Sequence, residues 1–170
     1  RNHIIKHEGL GNYDISKYYR FPYSFFYQYK LRMILNMMKG STYKTILDYG
    51  AGPGIFTKEL RKHGKVTSVD ISDKISPLWK FDLIICSSVL EFTYLDYTLR
   101  LLKSLLHKDG KLIVASPVKS RLSNFYFNSI GDEKVRHSHL EIQSAVSKQF
   151  KIERYEEWLR LYFALKARQS

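Results

Sequence analysis

The stretch Ile46-Leu47-Asp48-Tyr49-Gly50-Ala51-Gly52-Pro53-Gly54 constrains the fold more than any other, because an apolar strand runs straight into a glycine-dense turn. Apolar residues on either side of Asp48 suit a strand covered on both faces. Glycines at alternate positions permit positive φ and remove the Cβ atoms that would keep a ligand away from backbone. Ile55 to His63 then reads as a helix whose first amides face whatever sits over the turn. Two familiar glycine motifs do not fit. A dinucleotide fingerprint requires glycine or alanine where Ile55 stands, and a phosphate loop requires Gly-Lys-Ser/Thr where the chain has Gly54-Ile55-Phe56. A tight turn without a ligand is the plain alternative, and the residues that follow weigh against it.

Lys65-Val66-Thr67-Ser68-Val69-Asp70 is a second short strand ending in a carboxylate, placed to accept two hydrogen bonds from a ribose diol. Phe81 to Ser88 is a third strand, almost wholly apolar. Leu95 to His107 has helical spacing, with Leu95, Leu99, Leu102, Leu105 and Leu106 on one face. Asp109-Gly110 reads as a turn, and Lys111 to Ser116 as a fourth strand closed by Pro117. This rhythm predicts a doubly wound α/β fold with a mostly parallel sheet, whose ligands sit at the carboxyl ends of the strands.

At this point the chain resembles the class I S-adenosylmethionine-dependent methyltransferases. The residues that carry the likeness are ILDYGAGPG, SVDIS, FDLIICSSVLEF and LLKSLLHKDGKLIVASP, four motifs in order across residues 46–117. They are most similar to the small-molecule branch with its quinone and lipid methyltransferases, and weaker similarity continues from His137 to Trp158. The resemblance implies S-adenosyl-L-methionine as cofactor. It implies that Asp48, Gly50 and Gly52, with Ala51 and Gly54 in the same turn, hold the methionine end, and that Asp70 holds the ribose. Ser87, Ser88 and Leu90 match the end of the fourth family strand, bordering cofactor and acceptor. Phe92 stands where the subgroup often has histidine, which puts a base there in doubt.

A larger departure lies between Asp70 and Asp82. The family places a helix and a third strand there, which takes on the order of 25 residues or more. Only Ile71 to Phe81 are available, and Pro77 interrupts them. The third strand is therefore expected to be absent, or else a loop is missing from the sequence. With a reduced adenine pocket, Ile71, Leu78 and Trp79 become its expected apolar walls. Trp79 is placed either to stack on a purine or simply to pack beside a strand.

At 170 residues with 44% apolar content, one domain with one core is expected. Its expected parts are an aromatic and basic cover (1–43), a cofactor-binding core (44–118), and an acceptor-side connection with C-terminal strands (119–170). Cys86, the single cysteine, excludes an internal disulfide and reads as a small buried hydrophobe. With no apolar run long enough for a transmembrane segment and no signal-peptide core, the expected location is cytoplasmic. Arg1 stands first, which leaves room for preceding residues.

The net charge is +12, and its distribution is uneven. Residues 1–45 carry eight Lys/Arg against two acids and residues 119–170 ten against six, while residues 46–118 carry ten against eight. Acceptor specificity is expected in those flanks, so the basic excess suggests an anionic partner: nucleic acid, an acidic lipid headgroup or a phosphorylated metabolite. A merely basic, well-solvated protein is the alternative.

Tyr13, Tyr18, Tyr19, Phe21, Tyr23, Phe25, Phe26, Tyr27 and Tyr29 crowd one segment, interleaved with Arg20, Lys30 and Arg32. Helical spacing continues through Met33 and Met37, and Pro22 suits a first turn, so a helix from about Tyr23 to Lys39 is predicted. Its stripe serves as core, or as a mobile lid over the cleft, a base-stacking surface or a membrane-interface element. Arg121 to Ser138 is long for a loop and is expected to hold function or a short helix. Ser138 and Glu141 have capping-box spacing for a helix through about Lys148. Phe150 to Glu156 and Trp158 to Lys166 read as a terminal antiparallel pair.

His137 and His139, near Asp132 and Glu133, lack metal-ligand spacing, so no metal is expected. The catalytic residue is left unassigned, with His137 the candidate base. A sulfonium methyl is already electrophilic, so alignment of acceptor, carbon and sulfur with exclusion of water can carry in-line displacement without a dedicated base. Methyl transfer to a small-molecule or lipid-like acceptor is the favoured reading. A nucleic-acid methyltransferase is the second, although no Asn/Asp-Pro-Pro-Tyr/Phe motif stands where Ser87-Ser88-Val89-Leu90 does. The third is a non-catalytic binding module. The oligomeric state is left open.

Overall fold

The computed structural model describes residues 21, 23–52, 54–130 and 137–170. Tyr13 to Arg20, Pro22, Pro53, Asp132 and Glu133 lie outside the described residues, as do the side chains of Tyr23, Tyr126, Phe127 and Asn128. The elements run α1 (Tyr23–Met38), β1 (Thr45–Tyr49), α2 (Ile55–Leu60), β2 (Lys65–Val69), β3 (Phe81–Ser87), a 3-10 turn (Leu90–Phe92) and α3 (Leu95–Leu105), then β4 (Leu106–Pro117), α4 (Arg121–Ile130), α5 (His139–Gln149), β5 (Phe150–Trp158) and β6 (Tyr162–Gln169).

One six-stranded sheet has the order β2-β1-β3-β4-β6-β5. Strands β2, β1, β3 and β4 are parallel, and β6 inserts antiparallel between β4 and β5. This is the doubly wound, mostly parallel sheet with an antiparallel C-terminal pair that the motifs predict.

Alternation along each strand builds two cores. Leu47, Ile84, Cys86, Leu112, Val114, Phe163 and Leu165 face the layer of α3 and α5. Ile46, Leu83, Ile85, Ile113 and Ala164 face α1 and α2. Leu47, Ile84 and Leu112 are fully buried, each stabilising by roughly 1.5–3 kcal/mol. The capping box forms as its spacing predicts, with Ser138 accepting from the Glu141 amide and the Glu141 carboxylate from the Ser138 amide.

Two local expectations are corrected. Helix α2 stops at Leu60 rather than His63, and Lys62 and His63 close tighter bonds to the carbonyls of Glu59 and Leu60. Gly64 then passes so near the Tyr43 carbonyl that a Cβ would lie 2.5 Å from it. Asp109-Gly110 is not the link between a helix and a strand. Helix α3 ends at Leu105, β4 begins at once, and pairing with β3 jumps from Phe81↔Leu106 to Leu83↔Lys111. Residues 107–110 thus bulge out of the ladder. Residues 70–80 hold neither strand nor helix, as the shortness of this segment leads one to expect. The third family strand is absent, β2 is an edge, and its brevity and exposed Lys65 suit that position.

Candidate active site

Register brings one end of the sheet together. Tyr49 pairs with Val69 and Cys86, and Ser87 with Ala115, so the segments after β1, β2, β3 and β4 emerge along a common edge. Pro117 pairs with Tyr162, which puts the β5–β6 hairpin tip at that edge as well.

The turn after β1 is held by its neighbour strand. The amides of Gly50 and Ala51 donate to the Val69 carbonyl at 2.8 and 3.1 Å, and that of Gly54 to the Ala51 carbonyl at 2.9 Å. Gly50, Gly52 and Gly54 have φ of +74°, +50° and +74°, a region that strains other residues. At Gly50 a Cβ would lie 2.2 Å from Val89 Cγ2, so only glycine lets the segment after β3 close on the turn. At Gly52 a Cβ would meet nothing within 4 Å, leaving this backbone open to a ligand. With six residues, α2 contributes little macrodipole, so the open turn itself is the binding feature.

Asp48 is buried behind the turn. Its Oδ2 accepts from Thr57 Oγ1 at 2.6 Å, and Thr57 Oγ1 accepts in turn from Ser68 Oγ at 3.1 Å. Burial raises its carboxyl above the usual value, with the Thr57 hydroxyl opposing in part. Asp70 directly follows Val69, and so stands exposed beside Gly50. Its Oδ1 accepts from the Ile71 amide at 2.7 Å and its own amide donates to Asp73 Oδ2 at 2.6 Å, a turn that fixes it at the edge.

At the end of β3, Ser87 is half-buried, and its buried Oγ has no hydrogen-bond partner among the described residues. Such a hydroxyl costs roughly 1–3 kcal/mol unless something meets it. Ser88 takes φ +55°, with its amide on the Ala115 carbonyl at 2.8 Å. Lys30 of α1 reaches across to donate to Ser88 Oγ at 2.7 Å. Its ammonium is buried and lies 5.3–5.5 Å from the ring centroids of Tyr27, Phe56 and Tyr162. Glu91, shortly after β3, is buried, and its Oε2 accepts from Ser116 Oγ at 2.9 Å.

His137 is drawn to the same edge. Its amide donates to the Glu91 carbonyl at 3.2 Å, and Nε2 lies 2.9 Å from the Thr93 carbonyl. Nε2 therefore carries the proton, and a neutral ring keeps its lone pair on Nδ1. His139 Nδ1 accepts from the Lys119 amide at 3.2 Å. No cluster of potential metal ligands occurs among the described residues.

The structure thus gathers Asp48, Gly50, Ala51, Gly52, Gly54, Asp70, Ser87 and Ser88 at one edge. Ile71, next to Asp70, packs half-buried against the core on the α3 side. Trp79 and Leu78 are a correction. They precede Phe81 at the amino end of β3, and Trp79 packs edge-on against Phe81 at 6.2 Å. Strand β3 rises about 3.3 Å per residue, which separates them from the glycine turn by its length. Thr57, Val89, Glu91 and Ser116 also line this edge; Thr57 lies outside the motifs, and the other three lie within them without being singled out. Only the fold makes Asp48 meet Thr57, or Gly50 meet Val89. Lys30 had a visible signal, a cation set among aromatic residues.

Strand order, glycine turn and acidic strand end together define a class I methyltransferase. The chain belongs to the methyltransferase domain family, whose model matches residues 25–151. Among solved structures, the N-methyltransferase NodS from Bradyrhizobium japonicum is 13% identical with a TM-score of 0.64, over 86% of this chain and 97% of that one. The same enzyme in complex with S-adenosyl-L-homocysteine is 12% identical with a TM-score of 0.63, over 84% and 86%. A SAM dependent methyltransferase from Aquifex aeolicus is 16% identical with a TM-score of 0.63, over 81% and 88%. At these identities the likeness is one of fold. No curated protein matches the sequence.

Proposed function

We propose that this protein is an S-adenosylmethionine-dependent methyltransferase acting on a small-molecule or lipid-like acceptor. The observation that carries the reading is the cradle at Gly50–Gly54: open backbone at Gly52, flanked by the carboxylate of Asp70 and the unmatched hydroxyl of Ser87. These residues fit the cofactor. The turn backbone and Ser87 would hold its methionine end, and Asp70 its ribose hydroxyls. When bound, the cofactor supplies an electrophilic methyl group on a positively charged sulfur.

The chain's own residues then position and shield. Asp48 holds the turn from beneath through Thr57, which fixes the strand end against the helix that follows. Val89 closes on Gly50 and excludes water from one side. The Lys30 bridge to Ser88 anchors α1 at the rim, where the acceptor enters. In this reading His137, held by its Nε2 on the Thr93 carbonyl, would take a proton at Nδ1 from a hydroxyl or amine acceptor. A cofactor-binding core (44–118) and an acceptor side (119–170) belong to this reading, whereas the expected cover (1–43) is narrowed to the part before Lys30, because Met33 to Met38 and Tyr43 are buried in the core. So does a cytoplasmic location; no described helix is long and apolar enough to cross a membrane.

Calorimetric titration with S-adenosylmethionine and S-adenosylhomocysteine tests the proposal. Saturable binding that weakens by about 1.5–3 kcal/mol in Asp70→Ala is expected, as for hydrogen bonds to a charged group. Absence of heat with either ligand from folded protein overturns it in favour of a non-catalytic module.

A further inference from the structure

We infer that the rim at the carboxyl edge is a docking surface for an anionic lipid bilayer. The surface is traced by contacts. Phe25 packs against Trp158 with ring centroids 6.1 Å apart, Trp158 leads into the hairpin tip at Leu159 and Arg160, and Ser120 Oγ ties the Arg160 carbonyl to the start of α4 at 2.7 Å. Along this path Phe25, Leu159, Leu122 and Phe125 are exposed by 53%, 61%, 52% and 76%. Leu122 and Phe125, three residues apart on α4, share a face, while Ser123 turns inward and is buried.

The charge beside these side chains is mainly positive, although Glu156, paired with Arg154, and exposed Glu157 directly precede Trp158. Segments 21–32, 119–125 and 158–161 contain no Asp or Glu, and Arg32, Lys119, Arg121 and Arg160 supply their surface cations, Lys30 being buried against Ser88. Lys119, Arg121 and Arg160 are exposed. Protruding apolar residues ringed by cations match the acyl boundary and headgroups of an anionic leaflet. The two leucines favour lipid over nucleic acid, because an aliphatic side chain offers no platform for base stacking. The tip also holds its leucine outward by force. Leu159 and Arg160 both have positive φ, 47° and 53°, and the turn is closed by the Leu161 amide on the Trp158 carbonyl at 2.8 Å.

The surface does not depend on the methyl-transfer reading, and its failure would leave the cofactor titration untouched. The test is co-sedimentation with vesicles of phosphatidylcholine alone or mixed equally with phosphatidylglycerol. In a Trp79→Phe background, Trp158 becomes the sole tryptophan and reports depth through quenching by brominated lipid. Salt-sensitive binding to the anionic vesicles with quenching of Trp158 is expected. Binding should fall at least about tenfold in Phe125→Ser with Leu159→Ser, and likewise in Arg121→Glu with Arg160→Glu, with unchanged thermal midpoints. Four outcomes overturn the inference: no vesicle binding, binding that both double variants retain, binding without Trp158 quenching, or capture by single-stranded RNA in place of vesicles. A concentration-dependent dimer that buries Trp158 and abolishes vesicle binding also overturns it.

Discussion

Asp48 shows how a single residue serves the site against the interest of the fold. Its carboxyl is raised by burial, so its contribution to stability is fully present only below the unfolded value near 3.8 and is lost as pH rises through the higher folded value. Asp48→Asn retains an oxygen for the Thr57 hydroxyl and removes the titration. The variant's melting midpoint should therefore gain on the parent as pH rises above about 4 and level off once pH passes the raised folded value, while cofactor affinity falls. A constant difference in midpoint from pH 3 to pH 7, read by circular dichroism, would contradict this linkage. Gly50→Ala tests the turn instead: its methyl would collide with Val89 while holding positive φ, at a cost of about 1–3 kcal/mol. The expected result is a lower denaturation midpoint together with lost cofactor binding. Val89→Ala in the same chain should recover part of the stability. Asp48, Gly50 and Asp70 were legible because each sits at a strand end, where position in the chain fixes position in space. Thr57 and Val89 were not, since what they touch is set by how separate elements pack.

Among the elements, α1 joins two roles that the aromatic segment left undivided. Met33, Ile34, Met37 and Met38 are buried against the sheet, so the second half of α1 is core. Towards its start, Phe25 is exposed, and Tyr29 stacks on Trp158 at 3.9 Å. Amide hydrogen exchange should therefore find Met33 to Met38 protected with or without cofactor, and any change on binding confined to residues before Lys30. Slow exchange along the whole helix in the free protein would contradict the division. Although α2 and α3 end earlier than expected and β6 begins at Tyr162 rather than Trp158, the presence of the helices, the capping box and the terminal hairpin followed from periodicity and turn chemistry. The excursion at 107–110 did not, because a bulge depends on pairing with β3 rather than on Asp109-Gly110 itself. Trp79 was misplaced for a similar reason. Without a helix between β2 and β3, residues 70–80 cross from one end of the sheet to the other, and spacing alone does not reveal where along that crossing a side chain falls.

For the molecule as a whole, the sheet is one cooperative body with Cys86 at its centre. The thiol is fully buried, and its pKa is driven well above 9 chiefly by that burial. Reaction with an aromatic disulfide reagent should track global unfolding measured by tyrosine and tryptophan fluorescence across a urea gradient. Labelling well below the unfolding transition would show that the β3 region opens on its own. The charge asymmetry pointed to the flanks, yet only the folded chain brings Lys119, Arg121 and Arg160 beside exposed apolar residues along one rim. The hairpin tip in that rim has a wider consequence. Two non-glycine residues in left-handed geometry store about 1–2 kcal/mol each, and Leu159→Asn with Arg160→Gly would suit the same backbone. That double variant should raise the denaturation midpoint. A chain shaped only to endure would already carry such a turn, so Leu159 and Arg160 mark a place where durability has been exchanged for what the tip presents to its surroundings.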